Sequence, residues 1–307
     1  MSFSENLLQL KKQAMAQAGP MFAHIDSIAE ANTLKVLDAM RECQVSEAHF
    51  NTTSGYAYDD IGRSKIEELF AKVFGAERAL VRTNFVSGTH ALATVLFGIL
   101  RPGDKLVSIT GAPYDTMQTV IGYANESPGS LKEFGVLYDE LEMIDGKVDM
   151  AGIAGKITPD TKMVLIQRSR GYSMRNPLTI EEIGAICQEV KKVKPDCICF
   201  VDNCYGEFVD TQEPVQAGAD IMAGSLIKNP GGGVALTGGY IAGKSDLVEL
   251  CSYRLTAPGM GDELGASLAN NRMIFQGFFL APHVVAQAIK GAVFAAALFA
   301  LLGYKTL

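Results

Sequence analysis

From residue 78 onward, short strand-forming runs alternate with helical stretches, and this alternation constrains the fold more than any other feature of the sequence. Apolar runs at 79–82, 105–110, 134–138, 163–167, 197–201 and 220–223 have the length and residue types of strands. Helical patterns lie between them near 88–100, 116–123, 150–156 and 179–193, the last opened by the capping pattern Thr179-Ile-Glu-Glu182. Such an order predicts an α/β domain in which a mostly parallel sheet carries helices on both faces. Sheets of this kind collect ligands beyond the carboxyl ends of their strands, so the chemistry is expected there.

The flanks divide the chain into an N-terminal helical arm (1–55), a large α/β domain (56–255) and the start of a C-terminal element (256–307). The arm shows two helical patterns, at 2–18 and 27–42. Ser64-Lys-Ile-Glu67 is a capping-box pattern that opens a helix running to Phe74, and Gly75 closes it. Residues 232–243 (GGVALTGGYIAG) suggest strand, turn and strand, followed by a helix at 245–255. The stretch 284–302 is apolar enough to raise a membrane span. Lys290 interrupts it, and the uncharged part at 291–303 is too short to cross a bilayer, so a buried Ala-rich helix is expected. With so little sequence after it, a partner subunit or further chain is expected to cover this helix, which makes the C-terminal domain read as incomplete.

A chain of 307 residues with 48% hydrophobic content can bury one large core. With 34 acidic against 27 basic residues and a net charge of -7, it is not built to neutralise a nucleic-acid backbone. The first residues lack the apolar region of a signal peptide, so a cytoplasmic, reducing location is expected for Cys43, Cys187, Cys197, Cys199, Cys204 and Cys251. Cys197 and Cys199 suit opposite faces of a strand better than a redox pair. His24, His49, His90 and His283 share no ligand spacing, and no metal is expected. The glycosylation patterns at Asn51 and Asn125 carry no weight without secretion.

Four strand-end features point to one chemistry. Asn84-Phe-Val-Ser87-Gly88-Thr89-His90 runs from a small-residue turn into an apolar helix, so free amides with the Ser87 and Thr89 hydroxyls could hold a phosphate; the same pattern is also an ordinary N-cap. Asp202 closes the run Cys-Ile-Cys-Phe-Val, where a carboxylate can be a solvated strand end or the partner of a cationic ring nitrogen. Lys228 follows Ser225-Leu-Ile and precedes Asn-Pro-Gly-Gly-Gly, a place where burial would lower its pKa and leave the neutral amine that imine formation needs. Ser225 could add a hydroxyl to the same phosphate. Tyr114, in a loop beyond a strand end, can stack on a flat heteroaromatic ring or simply pack beneath its loop.

In this order, these residues resemble the fold-type I pyridoxal 5'-phosphate (PLP) enzymes, and within them the cysteine and methionine branch of methionine γ-lyase and cystathionine γ-synthase. The segments 56–61, 86–91, 200–205 and 225–233 are similar to those of the bacterial methionine γ-lyase-like, aluminium-resistance group. The resemblance implies a PLP-dependent transferase-like fold. It also implies a carbon–sulfur lyase that acts on a sulfur-containing amino acid, such as a methionine γ-lyase or cystathionine lyase. Lys228 would form the Schiff base and move protons, Asp202 would hold the ring nitrogen, and Tyr114 would stack on the ring. Gly88 and Thr89 would give amides to the phosphate, with Ser225 adding its hydroxyl. Tyr58 would reach the phosphate of a neighbouring subunit, implying a homodimer or homotetramer with shared sites. Two departures accompany it. Asp60 stands where the related lyases carry an arginine two residues after that tyrosine, making Arg63 the candidate substitute. The domain that usually holds the carboxylate-gripping arginine would begin where this chain ends. Arg168 and Arg170 could contact cofactor or substrate, or line a solvated loop.

Three alternatives remain at this point. The same cradle would serve an aminotransferase. Gly238-Gly-Tyr-Ile-Ala-Gly243-Lys244-Ser245 fits a P-loop of an NTPase, although Tyr240, Ile241 and Ala242 read as strand. A catalytically silent subunit would also suit the uncovered apolar tail.

Overall fold

The computed structural model describes residues 4–124 and 127–306; Asn125, one of the two glycosylation patterns, lies outside them. A single seven-stranded sheet is built from β1 (Arg78–Arg82), β2 (Lys105–Ser108), β3 (Leu137–Glu140), β4 (Thr161–Gln167), β5 (Ile198–Asp202), β6 (Ile221–Ser225) and β7 (Gly239–Gly243). Their order is β1-β7-β6-β5-β4-β2-β3. All neighbours from β6 to β3 run parallel, and β7 lies antiparallel between β1 and β6. Helices α1 (Glu5–Glu42), α2 (Ile61–Phe74), α3 (Gly88–Ile99), α4 (Asp115–Ile121), α5 (Ile153–Lys156), α6 (Ile180–Val193), α7 (Ser245–Leu255) and α8 (Asn271–Leu301) complete the chain.

Alternate residues of the buried strands feed two cores, one on each face of the sheet. Val164, Ile166, Cys199, Val201 and Met222 pack on one side with α2, α6 and the first half of α8. Met163, Leu165, Ile198, Phe200 and Ile221 pack on the other with α3 and α7. A strand buried on both faces must be apolar throughout, which is why β5 reads as a continuous run until Asp202. The register sets Gln167, the last residue of β4, beside Asp202, the last of β5, and Asp202 beside Ala223, two residues before the end of β6. Three carboxyl ends therefore open at one place.

Several details depart from the sequence reading. The two arm helices are one continuous helix, α1, which carries Pro20 internally and keeps a buried stripe at Ala14, Ala18, Ile25, Asn32, Val36 and Ala39. The N-cap of α2 is Asp60, whose carboxylate accepts from the Arg63 amide at 2.8 Å. Ser64 lies inside the helix, and Glu67 instead accepts from the Val81 amide and pairs with Arg82. Only Gly239–Gly243 is strand within 232–243, because Pro230 and the glycines after it form a tight turn. This also removes the P-loop reading: its four variable positions lie in or beside a buried strand, Lys244 pairs with Asp220 at 2.6 Å, and no loop is left to wrap a phosphate. Cys197 and Cys199 share one face, since side chains two apart along a strand point the same way.

Helix α8 begins well before the apolar stretch seen in the sequence. Its first half is buried through Ile274, Phe275, Phe278, Ala281, Val285 and Ala286. From Gly291 on none of its residues is buried, so the expected buried helix is realised only in part. By length and composition α8 could cross a membrane, yet Phe278 is a fully buried core residue. Its ring stacks on Phe70 at 3.8 Å between centroids and meets Phe74 and Phe208 edge-on at 5.6 and 5.3 Å. The residue before it, Gly277, passes so close to the chain after Lys228 that an added Cβ would lie 2.8 Å from the Gly231 carbonyl carbon. The last long helix thus braces the turn that carries the lysine. We predict that Phe278→Ala lowers unfolding free energy by roughly 3–5 kcal/mol in urea titrations. A loss under about 1 kcal/mol would show that α8 is not part of this core.

Candidate functional site

A cavity of about 810 Å³ opens at the carboxyl ends of β4, β5 and β6. Of the residues singled out in the sequence, Ser87, Gly88, Thr89, Tyr114, Arg168, Asp202, Ser225 and Lys228 line it together, with Arg170 at the rim shared with a second cavity. Tyr58 and Arg63 do not.

At the start of α3, Ser87 is the N-cap and its Oγ accepts from the His90 amide at 3.1 Å, so part of its hydroxyl capacity serves the helix. Gly88 lies against β6, where an added Cβ would stand 3.2 Å from Ser225 Cβ and 3.4 Å from Cys204 Sγ. Any side chain there would crowd the space in front of the helix. Among the described residues, Ser225 Oγ is buried without a hydrogen-bond partner. A buried hydroxyl left unpaired costs free energy, and it faces a helix start whose amides favour an anion. A phosphate fits both requirements. Thr89 Oγ1 sits 3.1 Å from Thr116 Oγ1 at the same end.

Asp202 is buried at the end of β5 and accepts from the Cys204 amide at 3.1 Å. Desolvation raises its pKa, and the Cys204 hydrogen bonds and the charge of Lys228 only partly offset this. The carboxylate is therefore under-compensated and suited to a cationic N–H donor. Lys228 ends in the same space, its Nζ 4.3 Å from the centroid of the Tyr205 ring. Burial lowers its pKa, but Cys204, Tyr205 and Asp202 together outweigh burial and the net shift is upward. Considering burial alone gave the opposite sign.

Tyr114 is fixed by its own amide, which donates to Gln167 Oε1 at 2.7 Å, and its ring lies 5.5 Å from that of Tyr172. The hydrogen bond with Tyr172 pushes the Tyr114 phenol up to about 12, so it stays protonated at neutral pH. Arg168 donates from Nη1 to Asn203 Oδ1 and to the Gly206 carbonyl, each at 2.9 Å, and thus clamps the loop after β5.

Arg63 needs correction as a cofactor ligand. Its guanidinium is buried and donates to the carbonyls of Ala57, Tyr58, Glu263 and Gly265, so it stiffens the 57–60 loop from inside. Tyr58 stands exposed on that loop, outside the cavity. Cys204, Tyr205 and Tyr172 were missed as cavity residues; the pair Cys204-Tyr205 stands just beyond Asp202, separated from it by Asn203 alone, which was the available signal.

Beneath the cavity lies a buried polar cluster with no counterpart in the sequence reading. Tyr240 donates to Glu207 Oε1 at 2.7 Å, and Asn203 Nδ2 donates to Glu213 Oε2 at 2.9 Å. Glu207 Oε2 has no partner among the described residues, and burial raises the Glu207 carboxyl to about 8.

The family profile described as methionine gamma-lyase matches residues 7–307. The chain is 51% identical to the Bacillus subtilis protein YnbB over 302 residues, 97% of this chain and 72% of that one. The chain belongs to the methionine gamma-lyase family. A crystal structure of a candidate cystathionine beta-lyase involved in aluminium resistance, from Listeria monocytogenes, shares 55% identity with this family member. It superimposes with a TM-score of 0.95 over 96% of this chain and 73% of that one. The pyridoxal-5'-phosphate dependent protein YhfS of Escherichia coli has the same fold, with a TM-score of 0.65 at 17% identity, covering 90% of this chain and 70% of its own. The chain spans about half the length of the curated L-methionine gamma-lyases that it matches at lower identity.

Two outcomes follow from the geometry. Ser225→Ala is expected to leave the stability of the cofactor-free protein unchanged or slightly raised, since the hydroxyl it removes is unpaired, while weakening binding of a phosphate-bearing ligand about tenfold. A clear loss of stability would mean that Ser225 is already satisfied. For Glu207, the folded state holds a proton that an unfolded carboxyl, titrating near about 4.3, releases. Stability contributed by this proton is present below that value and lost as pH rises through about 8. Urea titrations should show a flatter decline over this window in Glu207→Gln; an unchanged slope would contradict the assignment.

Proposed function

We propose that this chain binds PLP in the cavity at the ends of β4, β5 and β6 and belongs to a carbon–sulfur lyase acting on a sulfur-containing amino acid. The observation that carries this reading is the convergence of an under-compensated buried carboxylate, Asp202, a lysine, Lys228, and an unpaired hydroxyl, Ser225, around one helix start. Membership of the methionine gamma-lyase family and likeness to a candidate cystathionine beta-lyase support the reaction class. When bound, the cofactor supplies an electron sink that stabilises negative charge at the substrate Cα.

This chain's residues divide the remaining work. The amides of Gly88 and Thr89 and the Ser225 hydroxyl hold the phosphate. Asp202 keeps the ring nitrogen protonated, because a cationic N–H relieves the cost of its own burial. Tyr114, fixed through Gln167, would lie against the ring. Lys228 is the covalent anchor; as a free amine, its Nζ takes the proton from the substrate Cα and delivers one later along the chain as the thiol leaves. For Nζ to act as a base it must first lose the proton that its surroundings favour.

Tyr58 extends this reading to the assembly. It is exposed on a loop that Arg63 holds rigid, a preparation suited to contact with a second copy of the chain that completes the phosphate site. The six cysteines are free and buried, which supports a reducing, cytoplasmic setting.

A panel of amino acids incubated with the PLP-supplied protein tests the reading. Release of a thiol and a 2-oxo acid in equal amounts is expected from at least one sulfur-containing member, and Lys228→Ala should reduce the rate by on the order of a hundredfold to ten-thousandfold. Amino-group transfer without thiol release would replace lyase by aminotransferase chemistry.

A further inference from the structure

The loop after β5 holds an aromatic ring in an unusual way. Tyr205 has a backbone φ of 68°, a region that bulky L-residues rarely occupy, and Phe208 repeats it at 61°. Both survive because the loop is held from outside. The Gly206 amide donates to the Asn203 carbonyl at 2.8 Å, Arg168 donates to the Gly206 carbonyl, and the Phe208 amide donates to Glu213 Oε1 at 2.9 Å. Gly206 is itself required, since an added Cβ would lie 2.5 Å from Arg168 Cδ. Buried groups thus over-determine a conformation that leaves the Tyr205 ring lining the cavity, with Lys228 Nζ 4.3 Å from its centroid. Strain kept in place this way marks a functional constraint.

We propose that Tyr205 is a positioning residue for Lys228: the face of its ring is the seat of the free ε-ammonium whenever that nitrogen has no covalent partner. The inference rests on the reading of Lys228 as the cofactor's anchor and deepens it. A ring face attracts the ammonium and not the neutral amine, so the seat holds Nζ in its resting place and also resists loss of its proton. The other groups that bear on this nitrogen among the described residues are the Asp202 carboxylate at the end of β5, and the Cys204 thiol and Glu207 carboxyl in the same loop as Tyr205. Among these groups, the ring is the one carried on a residue with strained backbone.

The test uses the cofactor-free protein and needs no turnover. Trace acetylation of Lys228 by acetic anhydride, followed by peptide mass spectrometry from neutral to alkaline pH, gives the midpoint at which the amine becomes reactive. Tyr205→Asn keeps a residue tolerant of positive φ while removing the ring, Tyr205→Leu removes it by a different route, and Tyr205→Phe retains the face. The expected result is a midpoint lowered by about one pH unit in the Asn and Leu variants, with Phe matching the parent. Faster labelling at every pH with an unmoved midpoint would mean that the ring merely shields the lysine, and would overturn the proposal. So would a Phe variant that shifts as far as the other two, because the hydroxyl would then be responsible. Failure of the protein to take up PLP would refute the lyase reading and leave these midpoints as they are, so the two failures are distinguishable.

Discussion

A carboxylate buried at the end of a central strand needs compensating positive charge, and the burial of Asp202, within the field of Lys228, is the constraint on which the rest of the site depends. Lys228 supplies part of the compensation, and the upward shift of Asp202 shows that it is not enough. The deficit favours a ligand that brings a cationic N–H donor to this carboxylate. The remaining features serve that demand. Parallel pairing of β4, β5 and β6 brings Gln167, Asp202 and Ser225 to one edge. The crossing of α8 at Gly277 fixes the turn after Lys228, so a helix far along the chain determines where the lysine stands.

The polar cluster beneath the cavity extends the same logic inward. Arg168, Asn203, Glu207, Glu213 and Tyr240 are buried together, and their mutual hydrogen bonds hold the loop that follows Asp202. Arg168 lines the cavity but acts by clamping this loop. A glutamic acid that keeps its proton at neutral pH is cheaper to bury than a carboxylate, which explains how Glu207 is tolerated below the lysine. The strained backbone of Tyr205 is the visible consequence of this clamp.

Much of this was legible in the sequence, for identifiable reasons. Strands buried on both faces announce themselves as continuous apolar runs, so the sheet and its strand-end residues Asp202, Ser225 and Lys228 could be read directly. The capping of α6 by Thr179 and Glu182 was equally local. What stayed hidden depends on contacts between distant segments. Ser64 mimicked a cap because its spacing to Glu67 is right, but only the fold shows Glu67 turned toward Arg82 while Asp60 caps the helix. Arg63 looked like a phosphate ligand until four carbonyls, two of them some two hundred residues away, proved to hold it. The sign of the Lys228 shift depended on Cys204, Tyr205 and Asp202 standing around it, which burial alone could not reveal.

The account stands on a covalent attachment at Lys228, and reductive trapping tests it most directly. The protein supplied with PLP would be treated with borohydride, digested and mapped by mass spectrometry. A phosphopyridoxyl group on the peptide containing Lys228, and on no other lysine in proportion, is the predicted result. Labelling confined to other lysines, or absent despite a correctly folded protein, would contradict the account.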